Sequence, residues 1–478
     1  MISMIWRKRG KLCIIAGLLF ILSIISNKVL YKKVSPQNES KRYKLNDKRS
    51  MGSDLASDRR NVERGDKRRN EELNLVGMEG QKMELREQDV QEKKEALHKQ
   101  SCKRHDVVVF IKTHKTGSST ITNILNRFAD MNDLKVVLPM GYFYRFRWPV
   151  PFHWSAVDLW RLDGDTPNIL SNHARYNRPT IQLIMKKGAK YITILRNPLD
   201  QYESTFHYME FRKFLQLNNS KNPLADFVEN PVPKLYEMRE KYRGIPESMN
   251  LVKNPMFFDL GMYPPAYDNM TRVRGEIMKL DRDFELVLIM EYFDESLILL
   301  KKAFCWTVQD ILYVKFNQRQ HKPKVQISEK VKRNILNWNK ADVMLYDHFN
   351  KTLWRKIEDY GPSFWKDLNA FRRLNSKMQS SCVKKRQFSE KAFMSNGQIL
   401  SFRLNPNVPS YDRYFCMKIV RNEIEYIDYF RKKFKPYGSY QTLLEKAGKK
   451  KRSTRELIER LHIAANIKFA DSVPRAVT

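Results

Sequence analysis

A short stretch rich in Ser, Thr and Lys, residues 110–120 (FIKTHKTGSST), lies between a run of β-branched residues and an amphipathic helical pattern. Unpaired N–H groups at the start of such a helix, together with the helix dipole, attract anions. Gly117 lets the backbone approach a phosphate closely, and Ser118 or Ser119 is expected as the N-cap. The stretch therefore predicts a phosphate cradle. Its candidate ligand-binding residues are Lys112, Thr113, Lys115, Thr116, Gly117, Ser118, Ser119 and Thr120.

The lysine of this loop is misplaced for a nucleoside triphosphatase. The triphosphatase motif, GxxxxGK[ST], has its lysine directly after the second glycine. Here Lys112 stands at the first glycine position and Ser118 at the lysine position. ATP or GTP hydrolysis is therefore not predicted. The alternative to an anion site is an ordinary strand–helix turn rich in Ser and Thr.

A second candidate anion site follows a second strand pattern. In TILRNPLDQYESTFHY, Arg196 stands at the carboxyl end of the strand and Ser204 in the helix that follows. Ligands of open α/β sheets bind beyond the carboxyl ends of the strands. Two such ends could hold one ligand that carries two separated anionic groups. The alternative for Arg196 is an ordinary surface ion pair.

Strand-like and helix-like patterns alternate from residue 105 onward, which is typical of an α/β domain. DVVVFIK, AKYITIL and FELVLIM predict buried parallel strands. SSTITNILNRFA, LDQYESTFHYMEF and EYFDESLILLKKAF predict helices after them. The predicted fold is therefore a mainly parallel sheet flanked by helices.

The flanking segments differ from this domain in composition. Residues 1–11 are basic and residues 12–29 begin with an uncharged apolar run, which together predict a cytoplasmic tail and a signal-anchor helix. A cleaved signal peptide is the alternative. Residues 30–104 predict a charged stem that buries too little apolar surface to fold. The folded domain is expected at 105–435 and a basic extension at 436–478.

The net charge and the cysteines bear on partners and compartment. The formal charge of +35 favours anionic partners or a solvated stem; nucleic acid is not predicted. Besides Cys13 in the anchor, four cysteines permit two disulfides with three connectivities. Sequons predict lumenal glycosylation. They lie at Asn38, Asn218, Asn269 and Asn350.

Three blocks resemble the galactose 3-O-sulfotransferases: FIKTHKTGSSTITNILNRF, ILRNPLDQYESTFHY and LVLIMEYFDESLILLKKAFCW. The resemblance spans roughly residues 105–430. It implies a P-loop-like sulfotransferase fold and a single-pass type II Golgi membrane enzyme of the EC 2.8.2 class. The implied donor is 3′-phosphoadenosine 5′-phosphosulfate (PAPS), with no metal. The implied acceptor is a β-galactose on a glycolipid or glycan chain, sulfated at its 3-hydroxyl; a homodimer is one option for the assembly.

The resemblance also implies roles for particular residues. The loop at 113–120 would bind the 5′-phosphosulfate, and Arg196 and Ser204 the 3′-phosphate. Within the cradle, Lys115 is expected to neutralise the oxygen that leaves sulfur. His173, in a block that resembles the family's NH-x-R, is the first candidate for the base, and His114 inside the cradle is the second. A structural histidine is the alternative for either.

An aromatic stretch before His173 could line the acceptor cleft or belong to the core. Its members are Tyr142, Phe143, Tyr144, Phe146, Trp148, Trp154 and Trp160. Arg175 could contact donor or acceptor.

Two rival functions share the same anchor and stem. A metal-dependent Golgi glycosyltransferase would use a DxD triplet, and two occur, at Asp163–Asp165 and Asp281–Asp283. A non-enzymatic lumenal protein that binds acidic glycans would account for the charge alone.

Overall fold

A four-stranded parallel sheet organises the domain, in the order β2–β1–β3–β4. Its strands are β1 (Val108–Ile111), β2 (Ile169–Leu170), β3 (Lys190–Leu195) and β4 (Leu286–Ile289). In this computed structural model the described residues are 102–162, 164–242, 244–316, 327–384, 388–391 and 398–434. The fold prediction of a parallel sheet flanked by helices is confirmed.

Several expectations lie outside the described residues. These are the tail, the anchor at 12–29, nearly all of the stem, the extension at 436–478 and the sequon at Asn38. Within the part that is described, no helix has the length and apolar character needed to cross a bilayer.

Fifteen helices accompany the sheet in the described ranges. They are α1 (Ser118–Met131), α2 (Arg178–Gln182), α3 (Pro198–Tyr208), α4 (Phe211–Phe214), α5 (Pro223–Glu229), α6 (Pro231–Lys241), α7 (Pro255–Asp259), α8 (Met270–Asp283), α9 (Phe293–Phe304), α10 (Val308–Ile311), α11 (Glu329–Trp338), α12 (Lys340–Glu358), α13 (Ser363–Cys382), α14 (Ser410–Val420) and α15 (Glu423–Lys433). Short 3₁₀ turns occur at Trp154–Ala156, Leu159–Leu162, Glu247–Leu251, Pro264–Ala266 and Met290–Tyr292. An antiparallel pair, β5 (Phe388–Lys391) and β6 (Gln398–Ser401), lies apart from the main sheet.

The three strands predicted from apolar runs form as expected, because their side chains are buried on both faces of the sheet. Every residue of β1 and β4 is buried, and so are the last five residues of β3. Such two-sided burial gives the continuous apolar run that marks a parallel strand. The edge strand β2 has only two residues, too few to produce a periodic signal.

Two apolar clusters hold the helices in place. The larger one contains the sheet and the helices packed on it, with α9 and α12 against β4. The smaller one forms beneath α3 and includes Trp148, Tyr202, Phe206 and Phe258. The smaller cluster therefore supports the helix that follows Arg196.

The last two helices pack on α1, the helix that begins at the cradle. The amide of Asn123 donates 2.8 Å to the carbonyl of Arg421, in the turn between α14 and α15. Asp130 pairs with Lys418 and accepts 2.7 Å from the Tyr429 hydroxyl. A disulfide joins Cys382 at the end of α13 to Cys416 in α14. Cys102 and Cys305 are also disulfide-bonded, so all four cysteines outside the predicted anchor are paired.

Candidate active site

The cradle is a sharp turn between β1 and α1, built on a glycine in the left-handed region. Gly117 has φ 79° and is the N-cap of α1, so the expectation of a serine cap was wrong by one residue. A Cβ at this position would lie 2.4 Å from the sulfur of Met290, just beyond β4. Glycine therefore suits this position for two reasons: it adopts the left-handed backbone angle readily, and it has no Cβ to press on Met290.

The loop hydroxyls bind other loop atoms and so hold the turn in shape. The Thr113 and Thr116 hydroxyl oxygens lie 2.8 Å apart, and the Thr113 hydroxyl donates to the carbonyl of Ile194 on β3. The Ser118 hydroxyl donates 2.7 Å to the carbonyl of Thr113. Thr120 accepts 3.2 Å from the N–H of Phe316.

These bonds leave backbone N–H groups available at the turn. Among the described residues, those of Thr116, Gly117 and Ser118 have no acceptor. Successive free N–H groups at a helix start form a concave anion-binding surface. The roles predicted for the hydroxyls of this loop stay predictions.

Lys112 lies beside the cradle and is almost fully buried. Its ammonium donates 3.2 Å to the Ser119 hydroxyl and pairs with Glu423, at the start of α15. The side chain of Lys112 is 2% exposed and that of Glu423 19%. No sequence pattern pointed to Glu423, because its partner Lys112 lies 311 residues away.

The second predicted anion site adjoins the first. The Arg196 guanidinium donates 3.2 Å to the carbonyl of Lys115, and the Lys115 ammonium lies 3.8 Å from the centroid of the Tyr208 ring. Ser204 and Tyr208 are four residues apart on α3 and so share one helical face. The structure therefore brings Arg196, Lys115 and the face that carries Ser204 together, as the two-anion interpretation requires.

The two candidate bases lie against each other. The rings of His114 and His173 stack with centroids 4.1 Å apart and an interplanar angle of 19°. Asp259, at the end of α7, accepts 2.8 Å from both the backbone N–H and the Nδ1 of His114. The same carboxylate accepts 2.9 Å from the indole N–H of Trp148. With Asp259 ionised, Nδ1 of His114 is the donor and Nε2 carries the lone pair.

His173 has a different environment. Burial, together with nearby His114 and Lys112, holds the pKa of His173 well below its usual value. Its Nδ1 is buried without a hydrogen-bond partner in the described part of the chain. The lowered pKa favours the neutral imidazole of His173.

Asp259 and Gln201 are functional-site residues that sequence reasoning missed. The Gln201 amide donates 2.8 Å to the carbonyl of His114. The backbone N–H groups of Met256 and Phe257 at the start of α7 donate 3.0 Å and 2.8 Å to Asp342. Neither Asp259 nor Asp342 belongs to a recognisable sequence motif, because each carboxylate contacts a segment that is distant in sequence.

The other candidates near the site have mainly structural partners. Arg175 donates 2.9 Å and 2.8 Å to the carbonyls of Phe258 and Met262, so its guanidinium supports α7. Of the aromatic stretch, Phe146, Trp148 and Trp154 are buried. In contrast, Tyr142 is 91% and Phe143 68% exposed. Trp160, at the other end of the stretch, is 51% exposed. The stretch is therefore buried in its middle and exposed at both ends.

Asp281 and Asp283, the two aspartates of the second DxD triplet, contact other side chains. Asp281 lies 3.3 Å from the imidazole of His348, and Asp283 pairs with Arg178 and accepts 2.8 Å from the Tyr176 hydroxyl. Both lie on α8. In the described ranges no group of His, Cys, Asp and Glu side chains is placed to hold a metal ion.

The three described sequons differ in environment. Asn218 and Asn269 are exposed, and the Asn269 side chain caps α8 by accepting 3.0 Å from the N–H of Arg272. Asn350 lies within α12 and its Oδ1 is buried. Glycosylation of all three stays a prediction.

Comparison with known proteins agrees with this arrangement. A family model described as galactose-3-O-sulfotransferase matches residues 81–434. The chain belongs to this family. It is 34% identical to galactosylceramide sulfotransferase of Mus musculus over 344 residues, which are 68% of this chain and 78% of that protein. It is 30% identical to galactose-3-O-sulfotransferase 2 of Homo sapiens over 342 residues, covering 67% and 81% of the two chains.

A further relative is galactose-3-O-sulfotransferase 3 of Mus musculus, 30% identical over 362 residues, which are 71% of this chain and 80% of that protein. The predicted family is thus confirmed, and the protein is a sulfotransferase. Neither the glycosyltransferase nor the non-enzymatic binder accounts for this match.

Replacement of Gly117 by alanine should disable this galactose-3-O-sulfotransferase family member without unfolding it. The Cβ would strain the left-handed turn and press on Met290, so donor turnover should fall by about 10²-fold, as when one transition-state donor is lost. Gly188→Ala is the matched control, because Gly188 also has positive φ but open space around it. Equal losses in both variants, measured as kcat/KM beside thermal unfolding, would contradict the proposed role of the turn.

Proposed function

We propose that the protein transfers a sulfonyl group from PAPS to the 3-hydroxyl of a β-galactose residue on a glycolipid or glycan. The main support for this proposal is that two anion-binding sites with cationic side chains lie next to each other, at the carboxyl ends of β1 and β3. PAPS presents a phosphosulfate and a separate 3′-phosphate, which matches two sites on neighbouring strands. Membership of the galactose-3-O-sulfotransferase family supports the acceptor.

The donor residues follow from this match. The free N–H groups at the start of α1, with Lys112, Ser119 and the other cradle residues named above, would hold the 5′-phosphosulfate. Arg196 and Ser204 would hold the 3′-phosphate. Lys115 would neutralise the bridging oxygen as the bond to sulfur breaks, a charge that develops only during transfer.

A direct in-line attack needs a base for the galactose hydroxyl, and we assign this role to His114. Asp259 fixes its Nδ1–H, its backbone is held on both sides, and Nε2 is left to take the proton. His173, the first candidate from the sequence, lies against the face of the His114 ring. Burial lowers the pKa of His173, so His173 adds no positive charge beside the base.

The cellular setting belongs to the same proposal. The predicted signal-anchor at 12–29 and the sequons support a type II protein of the Golgi membrane with a lumenal catalytic domain. Transfer by this route needs no metal ion. The acceptor would be reached in the lumen, on a glycolipid or on a glycan chain.

Donor recognition can be tested apart from turnover. Adenosine 3′,5′-bisphosphate should raise the melting temperature of the full-length protein more than AMP does, because AMP lacks the 3′-phosphate. Arg196→Gln should lower affinity for the bisphosphate by about tenfold or more, as loss of a charge-assisted hydrogen bond implies. Arg274→Gln, an exposed arginine on α8, serves as the control. If the wild type does not distinguish the two nucleotides, the two-anion site is not a PAPS site.

The base can be identified by comparing the two histidines. His114→Ala should lower kcat by about 10²-fold or more while bisphosphate affinity stays near normal. Asp259→Asn should also lower kcat, because the amide can donate to Nδ1 and favour the wrong tautomer. His173→Gln should retain more activity than His114→Ala and leave the pH profile near pH 7 unchanged, since the lowered pKa of His173 means that it adds no charge there. Normal kcat in His114→Ala, with complete loss in His173→Gln, would return the role of base to His173.

A further inference from the structure

Helix α15 contacts both ends of the proposed site. At its first residue, Glu423 pairs with Lys112 beside the cradle. At its ninth, Arg431 donates 2.5 Å to the carbonyl of Phe143, in the exposed aromatic loop of residues 140–150. The helix also begins with a capping box between Asn422 and Glu425. One rigid element therefore spans the donor side and the loop beside the histidines.

The aromatic loop belongs to the other side of the same site. The N–H of Phe146 donates 2.9 Å to the carbonyl of His173, and Trp148 contacts His114 with ring centroids 4.7 Å apart. The tip of the loop, Tyr142 and Phe143, is exposed. Exposed aromatic side chains beside a cleft are suited to stacking on the apolar faces of a sugar.

Helix α15 is itself held firmly against α1. Lys433 lies 3.2 Å from Asp130 on α1, and the carbonyl of Arg431 accepts a hydrogen bond from Arg161. The Tyr426 hydroxyl donates 2.7 Å to the carbonyl of Lys418 on α14. A displacement of α15 would therefore move Lys112 and the aromatic loop together.

We propose that α15 is a positioning brace, in which Glu423 fixes Lys112 for the sulfonyl donor and Arg431 fixes the aromatic loop for the galactoside acceptor. Lys112 is too buried to keep an unpaired charge without cost. The Glu423 carboxylate directs its ammonium toward the Ser119 hydroxyl at the start of α1. This assignment rests on the proposed function and adds two positioning residues to it.

The two ends of the brace predict different kinetic defects. Glu423→Gln should raise the KM for PAPS and the Kd for adenosine 3′,5′-bisphosphate by about tenfold, because it leaves the buried Lys112 charge unpaired. Arg431→Met should raise the KM for the galactoside while the KM for PAPS stays normal. Glu425→Gln and Lys432→Met are the controls, since they lie on the same helix away from both contacts.

A double variant separates positioning from general damage. If Glu423 acts through Lys112, Lys112→Gln with Glu423→Gln should bind the bisphosphate no worse than Lys112→Gln alone. Additive losses, or equal changes in donor and acceptor KM for both α15 variants, would overturn the brace. Turnover by the wild-type protein tests the proposed function itself. A failure of the brace proposal can therefore be distinguished from a failure of the proposed function.

We also propose a second anion site, for a sulfate or phosphate group, at the amino ends of β3 and β4. A cavity of about 390 Å³ lies there, lined by Arg178, Lys190, Tyr191, Arg282 and Lys356, with Asp283 and Glu285. A neighbouring cavity of about 310 Å³ shares Arg178 and Tyr191 and adds Lys186 and Lys187. The cradle lies at the carboxyl end of the same sheet.

Hydrogen-bond donors and cationic side chains outnumber the carboxylates at this second site. Its two carboxylates already pair with Arg178 and Lys190. Arg282 and Lys356, as well as the two lysines of the neighbouring cavity, form no ion pair with any described residue. Tyr191 is 2% exposed, lines both cavities, and its hydroxyl has no hydrogen-bond partner in the described structure. A buried hydroxyl that lacks an acceptor, among several cations, is complementary to an oxyanion.

The second site can be tested with inorganic sulfate on the full-length protein. Adenosine 3′,5′-bisphosphate would first saturate the active site, and sodium chloride at equal ionic strength would control for screening. Sulfate should then raise the melting temperature of the wild type and of Arg274→Gln/Lys351→Gln by more than that of Arg282→Gln/Lys356→Gln, since sulfate also stabilises folded proteins without binding to a site. Both double variants remove the same charge from α8 and α12. Tyr191→Phe should weaken the response. Equal shifts in all variants, or no shift in the wild type, would overturn the second site.

Discussion

Free backbone N–H groups at the start of α1 are the feature on which the rest of the site depends. They exist because β1 turns directly into the helix through Gly117 in the left-handed region. That conformation disfavours a side chain at this position, and a Cβ here would also displace the side chain of Met290. The strand, the glycine and the helix start together make a site whose positive potential comes from the backbone. Side chains then decide which anion is held and what chemistry follows.

Three elements remote in sequence hold this turn in place. Gln201 on α3 donates to the carbonyl of His114, and Arg196, in the turn just before α3, donates to that of Lys115. From α7, Asp259 holds the other side of His114. Glu423 on α15 neutralises Lys112. A catalytic group gains most when it needs no reorganisation as charge develops. Catalytic power in this site therefore depends on the rigidity of the turn as much as on the reacting groups.

Sequence patterns predicted the elements whose formation depends mainly on residues that are close together in the sequence. The apolar runs of β1, β3 and β4 and the helix after the cradle follow from burial and periodicity, and all formed. The loop itself was recognisable from Gly117 and its Ser and Thr neighbours. The two-residue β2 has too little sequence to leave a pattern. The N-cap was misplaced by one residue, because the left-handed glycine outweighed the usual preference for serine.

The features of the site that the sequence did not predict depend on contacts between segments that are distant in sequence. Asp259 follows an apolar stretch without any motif, and its role depends on the packing of α7 under Asp342. The stacking of His114 on His173 joins two segments that the sequence offered as competing bases. Their ranking changed once Asp259 supplied an orienting carboxylate to only one of them. Neither contact could be read from spacing, since each depends on how the sheet order brings loops together.

The position of the transferred sulfate on the acceptor decides whether this protein is a galactose 3-O-sulfotransferase. Full-length protein would be incubated with ³⁵S-labelled PAPS and, in turn, galactosylceramide, lactose and a mucin-type galactoside, and the labelled product would be analysed by NMR. We expect label on the 3-hydroxyl of the terminal β-galactose of at least one acceptor, without added metal ion. Transfer to another hydroxyl, a requirement for a nucleotide-sugar and manganese, or no transfer to any galactoside would contradict it.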